Sequence, residues 1–470
     1  MTASAGRERG GGGSQEPAAP ATAKQIPLQG RPFESRDNGL AMSSPDPLRA
    51  AIRAATADGK VTDQEWHTVL QPVADGLPLR ATDGSRALLD VWASSRFDVD
   101  PEAHRHLDDY LRSRGYPVMT PRPVGGSDRA FAQLVASGNV GEVDRTFQRL
   151  AQRAGRSADE VNVAVLDNGF DLFHPELGRK GWVNGAEVAS NGQDDDRNGL
   201  VDDSHGWDFV DWDNDAGNPH GDWHGTHVAG IATQGTDQVN LIPLRVLEAP
   251  YDVRRVAVAV EYAIDHGARA INLSFGVDTP ERVQVMSEVI ARHPDVLFVA
   301  AAGNDGRSLD GYDPSSFLAS KAFPNLAVVA ASDAGGGKWE HSNYGPTATH
   351  AARGADVFST IPGAGYEAMS GTSMAAPAFV AAAAKCLILD PGLSPDAVKQ
   401  LLADTSDQRA DWTGAVQAGG PINSDRACAL AALTGLVRHG ETPSAAAAKL
   451  GLTREERAML LPMVTHFFGR

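Results

Sequence analysis

Few large apolar side chains occur in residues 1–44. Gly, Pro, Ala and Ser fill this segment, a pattern that predicts disorder. Over 45–125 apolar positions return at helical spacing. Asp46-Pro47 reads as a cap followed by proline at the first helical position. Thr62 and Glu65 form a capping box before Trp66, and Asp100-Pro101 opens a helix with Leu107, Tyr110 and Leu111 on one face. A helical accessory domain is predicted there. Around Ala57-Asp58-Gly59-Lys60 only Asp58 and Glu65 fall at the ligand positions of a calcium-binding loop, so a plain helical connection is the better reading.

The period changes near residue 160. Short apolar runs at 161–166, 269–275, 296–300 and 326–331 read as strands, and 253–264 and 281–291 read as helices between them. This alternation predicts an α/β fold over 126–430, a parallel sheet covered on both faces. In such sheets the ligand site lies beyond the carboxyl ends of the strands. Asp167 follows the first strand, Ser274-Phe275-Gly276 ends the second, and Asn304 lies just past the third. A helical tail is expected over 431–470. Within it Thr442-Pro443 starts one helix, Gly451 stops it, and Thr453 with Glu456 caps the next. Its last two helices look like a helix-turn-helix, but Glu455 and Glu456 offset Arg454 and Arg457. A hairpin packed on the main domain is the better account.

Charge narrows the partners. The 470-residue chain carries a net charge of -18, which argues against nucleic acid. Half of that excess sits between Glu187 and Asp215, where ten acidic residues face one arginine. The two cysteines, Cys386 and Cys428, lie in Ala-rich surroundings and read as buried free thiols. Neither a signal-peptide core nor an apolar run long enough for a bilayer is evident, so no membrane partner is expected. The expected location is the cytoplasm, with export by a route not visible in the sequence as the alternative.

Three segments carry acyl-transfer chemistry. Ser373 sits among small residues in Gly371-Thr372-Ser373-Met374-Ala375-Ala376-Pro377, at the start of an Ala-rich helix whose free N–H groups favour a developing negative charge. His224 opens His224-Gly225-Thr226-His227-Val228-Ala229-Gly230, and Asp167 lies in Val165-Leu166-Asp167-Asn168-Gly169. A serine hydroxyl needs an imidazole to take its proton, and the imidazole needs a carboxylate to hold its tautomer. His227 beside His224 lacks the glutamate of a zinc-protease motif, so a packing role is expected.

In the order Asp, His, Ser these segments resemble the signatures of subtilisin-like serine proteases. The resemblance covers about 160–430. It implies a subtilisin-like three-layer fold with a mostly parallel sheet, here with N- and C-terminal helical appendages. It implies a serine endopeptidase acting on a protein or peptide through an acyl-enzyme. Ala301-Ala302-Gly303-Asn304 looks like the family's oxyanion segment, which makes Asn304 the side-chain donor and puts Ala302 and Gly303 at the substrate. Ser274, Phe275 and Gly276 resemble the segment that binds substrate backbone and lines the first specificity pocket. Ser342-Asn343-Tyr344-Gly345 is another familiar family segment. Two positions depart: Asn168 stands where Ser or Thr is usual, and Arg353 where Pro is usual. The N-terminal helical region does not look like the family's usual pro-domain. A macrocyclising transferase would share the triad, but the lid insertion that would favour it is not evident.

The acidic segment has oxygen ligands at alternate positions before a glycine turn, as a hard cation such as calcium requires. Asp194, Asp196 and Asn198 would bind through side chains and Leu200 through its carbonyl, with Asp202 or Asp203 closing the site. The alternative is a solvated acidic loop. A second cluster, Asp208, Asp211 and Asp213, resembles a calcium-binding segment of thermitase-like members of the family.

Overall fold

A computed structural model describes residues 144–217, 223–363 and 365–468, together with two short strands, Lys60–Val61 and Asp98–Val99. The expected disorder of 1–44 and the helical and capping features expected over 45–125 lie outside the described residues. Within the region read as helical, those two strands pair in parallel.

The described elements run α1 (Arg145–Ala154), β1 (Val161–Asp167), β2 (Trp207–Asp208), α2 (His224–Ala232), β3 (Val239–Arg245), α3 (Val253–Asp265), β4 (Ala268–Leu273), α4 (Pro280–Arg292), β5 (Leu297–Ala301), β6 (Leu326–Ser332) and β7 (His350–Arg353). A hairpin of β8 (Val357–Ile361) and β9 (Gly365–Met369) follows. The chain ends in α5 (Thr372–Leu389), α6 (Pro395–Asp404), α7 (Ser424–Arg438), α8 (Pro443–Lys449) and α9 (Arg454–Phe468).

Strands β2-β3-β1-β4-β5-β6-β7 form one parallel sheet in that order. The inner strands read as continuous apolar runs because both faces are covered. Val161, Val163 and Val165 of β1 belong to one core with α2, α5 and α7; Ala164 and Leu166 belong to the other, with α3 and α4. Three layers result. The strand order reverses around β1, whose neighbours β3 and β4 leave in opposite directions, so a cleft opens beyond the ends of β1 and β4. Strand β4 stops at Leu273, two residues before the end of the predicted run, and leaves Ser274–Gly276 as cleft wall.

Helix α5 is long and apolar enough to cross a membrane, which the sequence reading did not anticipate, yet nearly all of it is buried inside the protein. Its alanines let it approach the sheet closely, and its one charge, Lys385, reaches Asp144 at 2.9 Å. Cys386 on α5 and Cys428 on α7 are buried free thiols. A hydrogen bond that the Cys386 thiol donates to Cys428, together with burial, pushes that thiol well up. A domain boundary at residue 430 falls inside α7, one unbroken helix of the core. Thr453 and Glu456 make the reciprocal bonds of a capping box, and Leu450, Leu460 and Val464 of the tail bury against the same core as α7.

Candidate active site

Asp167 ends β1 and is fully buried; His224 opens α2. His224 Nδ1 lies 2.8 Å from Asp167 Oδ1 and 3.1 Å from Oδ2. An ionised carboxylate only accepts, so Nδ1 carries a proton, and in the neutral ring Nε2 keeps its lone pair. The unusual Asn168 has a task here: its Oδ1 accepts the Gly225 N–H at 3.0 Å and ties the end of β1 to the start of α2. Gly225 must be glycine, since a Cβ would lie 2.3 Å from the Gly169 carbonyl.

Ser373 is the second residue of α5. Pro377 has no N–H, so the Ser373 carbonyl loses its helical partner four residues on. The Ser274 hydroxyl replaces it, donating at 2.9 Å, while Ser373 Oγ donates to the Ser274 carbonyl at 3.1 Å. Asn272 Nδ2 in turn donates to Ser274 Oγ at 2.8 Å. Ser274 therefore holds the helix start as well as lining the cleft.

Asn304 follows β5. Its Oδ1 accepts the Thr372 N–H at 2.8 Å and the Thr372 hydroxyl at 2.9 Å. A backbone N–H can only donate, so the amide is oriented: oxygen toward Thr372, Nδ2 away from it. A Cβ on Gly371 would sit 3.5 Å from Asn304 Nδ2 and 3.6 Å from Ser373 N, so both donors border one small space. Beside it lies a cavity of about 190 Å³ lined by Ser274, Phe275, Gly276, Gly303, Asn304 and Ser373, with Val277, Leu318 and Ala319 as apolar walls. Ala302 is not at this surface. It is fully buried, its N–H bonded to the Val329 carbonyl and its own carbonyl to Asn343, because it continues the β5 ladder. His227 packs under the hairpin: its Nε2 faces the Glu367 carbonyl at 3.0 Å, and burial pulls its pKa down to about 4.

The acidic segment partly assembles. Carboxylates of Glu187, Asp194 and Asp196 converge, and Asp196 and Asp203 converge with His266. Glu187 is nearly buried. Its Oε1 accepts the Asp195 and Asp196 N–H groups, while Oε2 has no partner. Burial and the like charges of Asp203 and Asp196 hold its carboxyl above the usual range, against those two N–H donors. Glu187 was missed in the sequence; it is the first acid of the segment but stands outside the alternating spacing. Asn198 corrects the expected ligand set. Its Oδ1 accepts the Leu200 N–H at 2.8 Å and its Nδ2 faces Asp196 and Asp203, so it bridges carboxylates as a donor. The second cluster is also corrected. The buried Arg245 guanidinium bonds both Asp208 and Asp211 and supplies the positive charge expected of an ion. Asp213 instead caps its own turn through the Asp215 N–H. Burial pushes the Asp208 carboxyl up to about 6, with Arg245 opposing. Asp208→Ala leaves Arg245 buried with only the exposed Asp211, so denaturant melts should show a loss of about 3–5 kcal/mol.

The fold and this cleft define a serine hydrolase. The model of the subtilase family matches residues 158–428, more than half of the chain. Thermitase of Thermoactinomyces vulgaris is 31% identical over 279 residues, which cover 57% of this chain and 88% of thermitase. A thermophilic serine proteinase of Bacillus sp. (strain AK1) is 33% identical over 291 residues, covering 59% of this chain and 64% of that protein. A solved structure concerned with the assembly of subtilase cytotoxin aligns with TM-score 0.51 at 20% identity, covering 65% of this chain and 98% of that one, a likeness of fold. The chain belongs to the subtilase family and is a serine endopeptidase.

Proposed function

We propose that Ser373, His224 and Asp167 hydrolyse peptide bonds through an acyl-enzyme. Ser373 Oγ turns from the Ser274 carbonyl to His224, which takes its proton at Nε2 as the oxygen attacks the substrate carbonyl. Asp167 holds the Nδ1–H tautomer and balances the imidazolium. Asn304 Nδ2 and the Ser373 N–H receive the oxyanion. His224 then protonates the departing amine, and water, activated the same way, releases the acyl group. The observation that carries this reading is the fixed direction of two groups: His224 Nδ1 on the buried Asp167, and Asn304 Oδ1 on Thr372. The apolar walls beside Ser373 favour an apolar side chain on the acyl side of the cleaved bond. A fluorophosphonate probe tests the nucleophile. One equivalent of label on a peptide containing Ser373 is expected, and labelling elsewhere or none removes the assignment.

Calcium fits the acidic segment. The donors are all oxygen, and Glu187 Oε2 is a buried acceptor without a partner beside two further carboxylates. Glu187, Asp194 and Asp196 would hold the ion, with Asp203 behind Asp196. It would neutralise their repulsion and steady the loop without entering the chemistry. Calcium at a hundred times its Kd is then expected to add about 2.7 kcal/mol of stability. Thermal melts with calcium and with a chelator check this, and coincident melts would remove the ion from the proposal.

A further inference from the structure

Asn343 stands in the Ser342-Asn343-Tyr344-Gly345 segment, fully buried and far in sequence from every residue assigned above. Its carboxamide serves the 302–307 loop on both sides of Asn304. Oδ1 accepts the N–H groups of Asp305 and Arg307, each at 3.1 Å. Nδ2 donates to the Ala302 carbonyl at 3.0 Å and faces Asp305 Oδ2 and the Tyr312 hydroxyl, each at 3.3 Å. The Asn343 N–H also bonds the Gly303 carbonyl at 2.9 Å. Two obligate donors on one side and an obligate acceptor on the other leave this amide a single orientation. Gly303 closes around it with φ +100, and a Cβ there would lie 2.4 Å from Asn343 Nδ2. The Asn304 side chain, by contrast, belongs to an exposed residue on a glycine turn, and its oxygen is held by Thr372.

We infer that Asn343 is the positioning residue of the oxyanion donor: its buried carboxamide clamps residues 302, 305 and 307 while its backbone N–H holds 303, and so fixes where Asn304 Nδ2 points. The inference rests on the oxyanion reading of Asn304. Aspartate at 343 keeps the acceptor and the shape but sets an oxygen against the Ala302 carbonyl and the Asp305 carboxylate. Alanine removes both functions and orphans three backbone groups.

A double-mutant cycle separates this role from a merely structural one. Steady-state kinetics on a peptide substrate would be measured for the full chain, Asn304→Ala, Asn343→Ala and the pair. Asn304→Ala alone is expected to lose about 10²–10³ in kcat, the scale for one oxyanion donor in this family. Asn343→Ala should lose up to about 10² in kcat, as a 1 Å misplacement does, with KM within about twofold. In the Asn304→Ala background the same change should cost less than about twofold. An undiminished loss in both backgrounds, or a raised KM at unchanged kcat, overturns the inference. An unchanged kcat in Asn304→Ala alone overturns the oxyanion reading itself, and the clamp then has nothing to position. If Asn343→Ala does not fold, Asn343→Asp takes its place in the same cycle, and the same outcomes decide.

Discussion

Replacing Ser373 with alanine is expected to lower kcat by about 10⁶-fold, the scale on which such triads collapse when the nucleophile is lost. The substitution removes one oxygen at the second position of α5, a helix otherwise held by sixteen buried residues. Ser373 Oγ donates one hydrogen bond, to the Ser274 carbonyl, and the reverse bond from Ser274 Oγ to the Ser373 carbonyl uses backbone that alanine retains. The fold should therefore persist, with a thermal midpoint close to that of the parent. A residual rate of about 10³–10⁴ over water should remain, because Asn304 and the residue 373 N–H still meet a developing oxyanion. Turnover of a chromogenic peptide, with midpoints measured in parallel, checks this. A variant that folds like the parent and keeps a tenth of its kcat would show that another group is the nucleophile.

Asp167→Asn is the second large effect, a loss of about 10⁴ in kcat. The mechanism is one of tautomers. Asp167 Oδ1 accepts the Asn168 N–H at 2.8 Å as well as His224 Nδ1. In the variant the amide oxygen must stay on that N–H, an obligate donor, so Nδ2 takes the place of Oδ2 beside the imidazole. Nδ2 can only donate, so the Nδ1–H keeps Oδ1 alone as acceptor, and the tautomer in which Nδ1 accepts from Nδ2 and the ring proton sits on Nε2 gains population. A protonated Nε2 cannot take the proton of Ser373. Nothing in this sequence of changes touches the cleft walls, so the loss should fall on kcat with KM nearly unchanged. A loss confined to KM would mean that Asp167 only shapes the cleft.

Legibility in the sequence followed the range of the interaction. The apolar runs at 161–166 and 326–331 became β1 and β6, and helices at 253–264 and 281–291 became α3 and α4, because a strand buried on both faces and a helix with one buried face each imprint their own period. The Thr453–Glu456 box was equally legible, since both partners lie within one helical turn. The end of β4 was not, because Phe275 extends the apolar run while the Ser274 hydroxyl before it is claimed by α5.

The glycines beside Asp167, His224 and Ser373, the strand that ends on Asp167, and the helix starts that carry His224 and Ser373 are properties of the sequence alone. Each depends on residues a few positions apart. The tertiary structure decided which partner each polar group took. It gave Arg245 to Asp208 and Asp211 where an ion was expected, and turned the Asn198 amide toward two carboxylates. It buried Ala302, brought Glu187 to Asp194 and Asp196, and set Asn343 beneath the loop of Asn304. Those choices depend on sheet register and on how helices cross the sheet. A buried polar atom bonds whichever complementary group the packing brings within about 3 Å, and separation along the chain does not enter that distance.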